Sequence, residues 1–491
     1  KSNMTKLEEH FLSFRRNTSG NDVTINTIQG KKKLIYADWI ASGRLYLPIE
    51  EAIAGRFGPL VGNTHSESNY TGSVMTRAYH HAHKKIKEHV NASGKDIIIT
   101  AGSGMTGVIN KFQRILGLRV PELLRKFIHM EETVKPVVFL THMEHHSNQT
   151  SWLETICDVV VVPPAENGLV SEENLQMELE KYQDRPVKFG AFSACSNVTG
   201  IVTPYHKLAK IMHEAGGYAF IDFACSAPYV DIDMHPADPA EKLDAIFFSP
   251  HKFLGGPGTP GVLVFDSELY HNTVPDDPGG GTVDWTNPWG EYRFVDDIEA
   301  REDGGTPPFL QTIKAAMAIM LKEEMGTENI ISREHEMLPG FMEKLDRIPG
   351  LHILAGNHRD RLGCVSFYMD NIHYNLVVKI LNDRYGIQVR GGCSCAGTYG
   401  HYLLNVDPWM SKRITEKISH GDLSEKPGWV RVSIHPTMTN DEIDLIAEAV
   451  SEIRKNIDRW SSDYKYDNHR NEFVSSGGDP VLEVGDLFRF R

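Results

Sequence analysis

The feature that most constrains the fold of this chain is a series of short apolar runs separated by stretches with helical periodicity. The runs are "KLIYAD" (33–38), "DIIIT" (96–100), "PVVFLTH" (136–142), "DVVVVP" (158–163), "VKFGAFS" (187–193), "YAFIDF" (218–223), "LDAIFFS" (243–249) and "GVLVF" (261–265). Most are continuously apolar rather than alternating, as expected of parallel strands covered on both faces. Between them lie segments such as "PYHKLAKIMHEAGG", with proline near the start and glycine at the end of a helical pattern. The alternation predicts an α/β domain with a mainly parallel sheet over 35–310. Beyond a helical region near 310–345 the character changes. Short strands at 363–369, 387–390 and 429–434 enclose a helix near 374–385, and an amphipathic helix starts at "NDEIDLIAEAV". This predicts a smaller α+β domain over 311–460, with an N-terminal segment at 1–34 and a loose or docked tail at 461–491.

Charge and cysteine usage exclude several function classes. The 491 residues carry 51 basic and 65 acidic side chains, a net charge of −14, which opposes nonspecific binding to nucleic acid or anionic membranes. No apolar run approaches a membrane span of about 20 residues, and the polar first residues lack the apolar core of a signal peptide. Six cysteines in so long a chain are too few for a disulfide scaffold. The expectation is a cytoplasmic protein with reduced thiols and no nucleic-acid or membrane partner.

Candidate ligand-binding residues cluster after the predicted strands, where ligands of open α/β sheets gather. "AGSGMTGVINKF" (101–112) spells GxGxxG between a strand and a helix. A dinucleotide reading requires an acidic residue about 20 positions on, at the end of the next strand. Glu122 instead falls in "VPELLRKF", which reads as helix. A glycine turn opening a helix still presents free N–H groups and a positive dipole end to a phosphate. Lys252, in "SPHKFLGGPGTPG", follows another strand beside Ser249 and His251. Asp222 ends the strand "YAFID", where a carboxylate needs a cationic or hydrogen-bonding partner. His145, in "THMEHHSN", is placed to stack on a flat ring. Together these describe a phosphate cradle, a stacking ring, an acid for a pyridine nitrogen and an amine, the requirements of pyridoxal phosphate.

In this order, the phosphate turn, "MEHH", "SNVTG", "IDFACS", "SPHK", "GGGT" (279–282) and "VRGGCSC" (389–395) resemble the class V, fold type I pyridoxal-phosphate enzymes. Within them the resemblance is strongest to cysteine desulfurases and selenocysteine lyases. It covers roughly 35–455 and implies an enzyme acting on a small amino acid. Lys252 would carry the cofactor and move the substrate's α-proton, His145 would stack on the ring, and Asp222 would pair with the pyridine nitrogen. Ser103, Gly104, Ser249 and His251 would hold the phosphate. Asn197 would lie beside the ring or substrate, and Arg431 would take the substrate carboxylate, with Arg390 near it. Thr282 would reach the partner subunit's phosphate, which implies a homodimer. Cys395, five residues after Arg390, lies where desulfurases place the thiolate that receives sulfur and passes it to an acceptor protein. Cys225 stands where many relatives carry glutamine.

The phosphate turn is one residue longer than is typical, and the charged stretch 405–428 is expected to border the active-site mouth. The same scaffold also supports transamination, other lyase chemistry or epimerisation without a thiol, and a non-catalytic binding protein. The Cys393/Cys395 pair does not read as a metal site, since His401 is the only obvious further ligand nearby. It also fits a disulfide poorly. Cys157, Cys195, Cys225 and Cys364 have small buried hydrophobe as their default role, and Cys393 is expected to be either a packed neighbour or a thiol that receives the sulfur second.

Overall fold

A computed structural model describes residues 4–490; residues 1–3 and 491, the outer ends of the expected N-terminal segment and tail, lie outside the described residues. The centre is a seven-stranded sheet of β1 (Asp96–Ala101), β2 (Val137–Leu140), β3 (Asp158–Val161), β4 (Lys188–Ser193), β5 (Tyr218–Asp222), β6 (Ala245–Phe248) and β7 (Gly261–Asp266). Its order is β1-β7-β6-β5-β4-β2-β3. Only β7 is antiparallel to its neighbours, so the predicted α/β class with a mainly parallel sheet is correct. The continuous apolar runs are explained by cover on both faces. Val138 and Leu140 join one core cluster with Phe112 and Phe220, while Val137 and Phe139 join another with Leu208 and Met212. Successive residues point to opposite faces, and both faces are buried.

Helices α1 (Tyr70–His89), α2 (Met105–Ile115), α3 (Tyr205–Glu214) and α4 (Phe309–Met325) pack around this sheet. After α5 (Thr327–Asp346), a second sheet forms from β8 (Leu351–Ile353), β9 (Cys364–Met369), β10 (Arg390–Gly392) and β11 (Trp429–Ser433). It is antiparallel, in the order β8-β9-β11-β10. Two further helices, α6 (Pro408–Ser419) and α7 (Asn440–Trp460), belong to this part of the chain; α7 opens with a capping box of Thr439 and Glu442.

Three local expectations change, and the tail takes the docked form of the two expected. The run "KLIYAD" does not enter the main sheet: Ile35–Tyr36 pairs with Ile387–Gln388. It leads straight to Asp38, a carboxylate whose partners lie on β10 and β11. The segment "VPELLRKF" is not an α-helix but a 3-10 turn over Glu122–Phe127, with Leu123 and Phe127 exposed. It has no core face to bury, and most helical stability comes from such burial. The 374–385 helix is regular only over Tyr374–Ile380 and continues as a π turn to Tyr385. The tail begins with a hairpin of Tyr464–Asp467 and Glu472–Ser475. That hairpin is docked: Tyr464 Oη donates to Asp383 Oδ2 at 2.9 Å, and Asn375 Nδ2 donates to Asn471 O at 2.6 Å.

Candidate active site

A cavity of about 460 Å³ opens at the C-terminal ends of the parallel strands, between the two sheets. Ser103, Gly104, His145, Asn197, Asp222, Cys225, Ser249, His251, Lys252, Arg390, Cys395 and Arg431 all line it. Residues drawn from positions 103 to 431 of the sequence therefore meet at one place. Thr282 does not: it is fully buried in its own turn, its hydroxyl donating to Gly279 O at 2.6 Å. No residue of 405–428 lines the cavity. That stretch forms α6 and a loop in which Lys417 pairs with Glu425, and Lys426 lies near enough to His146, beside the Cys395 turn, to add to burial in lowering its pKa.

One end of the cavity is built for an anion. The turn after β1 reaches α2 through Gly102, in the left-handed region at φ +61°, and through Gly104. Ser249 Oγ accepts from Met105 N at 2.8 Å, while the N–H groups of Ser103 and Gly104 bond to no described residue. A Cβ on Gly104 would lie 3.0 Å from Ser249 Oγ and 3.6 Å from His251 Cδ2. Free N–H donors, a helix N-terminus and a space only glycine leaves open suit a phosphate.

The middle of the cavity holds a flat ring and two opposite charges. Ser147 N donates to His145 Nδ1 at 3.1 Å, which makes Nδ1 the acceptor and places the ring proton on Nε2. Burial, together with Lys252 and His146, lowers the His145 pKa to about 3, so the imidazole is neutral. Behind it, buried Glu144 accepts from Thr141 Oγ1, Ser193 N and Asn148 Nδ2 and anchors the loop that carries His145. Asp222 Oδ1 accepts from Ala224 N at 2.9 Å, and Oδ2 has no bond to a described residue. Burial raises its pKa to about 6, against the opposing pull of Ala224 N–H and Lys252. The Lys252 amine forms no hydrogen bond or ion pair with any described residue. Burial lowers its pKa, partly offset by Cys225 and Asp222, and so moves it toward the neutral, nucleophilic form.

The outer end carries two arginines, held by a residue that sequence reasoning missed. Asp38 Oδ2 accepts from Arg390 Nη2 at 2.8 Å and Nε at 3.2 Å, and Oδ1 accepts from Arg431 Nη2 at 3.2 Å. Arg431 Nη1 also donates to Asn197 O, while its Nε is buried without a partner, leaving donor capacity for a carboxylate. Asp38 ends an apolar run just as Asp222 does, so the same rule could have found it. The segment after it was missed too: Ile40 and Ala41 line the cavity, and Gly43 N donates to His251 O at 2.9 Å.

The two cysteines of "GGCSC" separate. Cys395 is exposed and lines the cavity, whereas Cys393 is half-buried against the cluster containing Trp429 and Tyr399. Both are free thiols. Ser394 and Cys395 are both left-handed, at φ +54° and +55°, a strained arrangement for residues other than glycine. Surrounding bonds hold it: Asn197 Nδ2 donates to Ser394 O at 2.8 Å, His146 N to Cys395 O at 2.7 Å, and Gly397 N to His146 Nε2 at 3.0 Å. Burial raises Cys157 to about 11 and Cys364 to about 12, so these two are packed thiols. Among the described residues no group of three or more His, Cys, Asp or Glu side chains is arranged to hold a metal, and no helix is long and apolar enough to cross a membrane.

Comparison with known proteins bears on this geometry. The chain is 28% identical over 372 residues to a Halalkalibacterium halodurans protein named "Probable cysteine desulfurase", covering 74% of this chain and 84% of that one. It is 26% identical over 370 residues to the cysteine desulfurase of Haloferax volcanii, covering 74% and 80%. The solved apo cysteine desulfurase of Thermococcus onnurineus has the same fold, with a TM-score of 0.69 at 20% identity over 86% of this chain and 95% of that one. The family model of aminotransferase class-V matches residues 35–446, and the chain belongs to that family.

Proposed function

We propose that this chain is a pyridoxal-phosphate-dependent cysteine desulfurase that cleaves the C–S bond of cysteine, or the C–Se bond of selenocysteine, to give alanine. The observation that carries the reading is the position of Cys395: an exposed thiol, held in a strained turn, on the same cavity as an unpaired lysine and two arginines. The residues fit the cofactor. Ser103 N–H, Gly104 N–H, Ser249 and His251 would hold its phosphate, His145 would lie on the ring, Asp222 Oδ2 would meet the pyridine nitrogen, and Lys252 would bear it covalently. When bound, the group supplies an electron sink for the substrate's α-carbon.

The chain's own residues do the rest. Arg431 and Arg390, held by Asp38, bind the substrate carboxylate. Lys252 removes the α-proton and returns a proton on the way to alanine. Cys395 Sγ attacks the substrate sulfur; the Cβ–S bond breaks as the S–S bond forms. One cysteine and one thiol become one alanine and one persulfide, which an acceptor protein would collect. Cys225, which stands where the family resemblance places glutamine, would give the cofactor's phenolic side a thiol in place of an amide. A homodimer belongs to the same proposal, with Thr282 facing the partner's phosphate once its turn is met by a second copy.

The test is to incubate the protein with cysteine and measure alanine and sulfide, comparing Cys395→Ala with Cys393→Ala. The expected result is loss of sulfur release in the first and retention in the second; full sulfur release by Cys395→Ala would remove the persulfide assignment. Selenocysteine is tested in parallel by selenide formation. Transfer of the amino group to an oxo acid would instead make the chain an aminotransferase.

A further inference from the structure

Two thiols in the cavity wall, Cys195 and Cys225, make and break no bond in that chemistry. Cys195 follows β4 and Cys225 follows β5, and these strands are direct neighbours with Ser193 opposite Asp222. Ala194 N donates to Asp222 O at 2.9 Å, so the pairing continues past the strand ends toward both cysteines. The two sulfurs are already in contact at 3.9 Å, and both thiols point at one acceptor, Ser196 O, at 3.6 Å. Both line the cavity beside Lys252, so a small solute entering it meets them although they are 3% and 6% exposed. The other four cysteines are not paired in this way: Cys157 is buried in another core cluster, Cys364 shares the cluster of Cys195 and Cys225 but turns its thiol to Val198 O at 3.3 Å, and Cys393 and Cys395 lie on the turn at the outer end of the site.

We propose that Cys195 and Cys225 form a dithiol–disulfide couple in the wall of the cofactor cavity, oxidised by small hydroperoxides. One thiol sulfur attacks the peroxide oxygen and breaks the O–O bond, leaving a sulfenic acid and one water or alcohol. The second sulfur displaces hydroxide from the sulfenic sulfur, and with its proton this leaves as water. Two thiols and one hydroperoxide thus give one disulfide, and a dithiol reductant reverses the change. Closure brings the sulfurs from 3.9 Å to about 2.05 Å. It removes both S–H donors from Ser196 O, next to Asn197, and draws the Cys225 sulfur along the wall toward Cys195. The oxidised cavity therefore differs beside the lysine and the asparagine, where the flat part of the cofactor would lie.

The experiment is to expose the purified, cofactor-free protein to hydrogen peroxide, block remaining thiols with iodoacetamide, digest without reduction and map peptides by mass. The expected product joins the Cys195 and Cys225 peptides, two hydrogens lighter than their sum, and dithiothreitol separates it. In Cys195→Ser and in Cys225→Ser the joined peptide is absent and the remaining thiol is alkylated or carries oxygen. Recovery of Cys195 and Cys225 both as alkylated thiols, from a sample in which Cys395 has been oxidised, would overturn the proposal. A parallel sample preloaded with pyridoxal 5′-phosphate should cross-link at least tenfold more slowly. Cross-linking in the free protein without such protection would count against the cofactor reading and leave the couple standing.

Discussion

Replacing Asp38 by asparagine tests whether the two arginines of the cavity are held in the way the geometry implies. Asp38 accepts three N–H bonds, two from Arg390 and one from Arg431, and its side chain is 11% exposed. The Arg431 side chain is 4% exposed and that of Arg390 is 53% exposed. Removing one partner of a buried ion pair costs about 3–5 kcal/mol, because the other charge is left uncompensated. The half-exposed Arg390 adds only about 0–1 kcal/mol, since water screens it. In Asp38→Asn the new amide oxygen can keep the Arg431 bond, which returns about 1 kcal/mol. The balance is a destabilisation of about 3 kcal/mol, a factor of about 150 in the unfolding equilibrium. Urea unfolding followed by tryptophan fluorescence reads it, because Trp39 is the next residue and Trp429 lies two residues before Arg431. With a slope near 3 kcal/mol/M, the midpoint falls by about 1 M. A midpoint within about 0.2 M of the parent would refute the argument, by showing that the arginines do not depend on this carboxylate.

Gly104→Ala puts a methyl group 3.0 Å from Ser249 Oγ; losing one charge-assisted bond to phosphate, about 1.5–3 kcal/mol, weakens pyridoxal-phosphate binding by about 10- to 100-fold in a fluorescence titration. Asp222 has its carboxyl raised to about 6 by burial, so the folded cofactor-free protein holds the proton more tightly than the unfolded chain does. Its ionisation therefore lowers stability as the pH rises through 4 to 6, on the order of 3 kcal/mol for about two pKa steps. Asp222→Asn is accordingly expected to raise the melting temperature of the cofactor-free protein at pH 8, to leave it nearly unchanged at pH 4, and to abolish cofactor chemistry. In the opposite direction, burial lowers His83, His89 and His145 to about 3. The unfolded chain takes up those protons first, so stability falls as the pH drops below about 6.5; acid unfolding monitored by circular dichroism checks this.

The structure brings most of the expected residues to one cavity and adds others that local patterns did not indicate. Asp222, Lys252 and the glycine turn each end or follow a buried apolar strand, and a parallel sheet gathers the ends of its strands along one edge, so local patterns were enough to bring them together. The antiparallel direction of β7 was not readable, because continuous burial produces the same run in either direction. Asp38 was missed for a different reason. Its strand is two residues long and pairs with Ile387–Gln388, some 350 positions away, so only tertiary structure brings it to Arg390 and Arg431. The "VPELLRKF" segment has helical residues but no core to lie against, and propensity without burial did not make a helix. The contact between Cys195 and Cys225 arises because two strand ends are neighbours in the sheet order, which neither residue's own surroundings in the sequence disclose.

The desulfurase reading of the cavity depends on Lys252 bearing pyridoxal phosphate. Protein incubated with the cofactor, desalted, and treated with borohydride is digested and mapped by mass. The geometry predicts a yellow protein that loses its colour on reduction, with one pyridoxyl-phosphate group fixed on the Lys252 peptide and none in Lys252→Ala. A protein that stays colourless, or label spread over surface lysines with Lys252 unmodified, would contradict it.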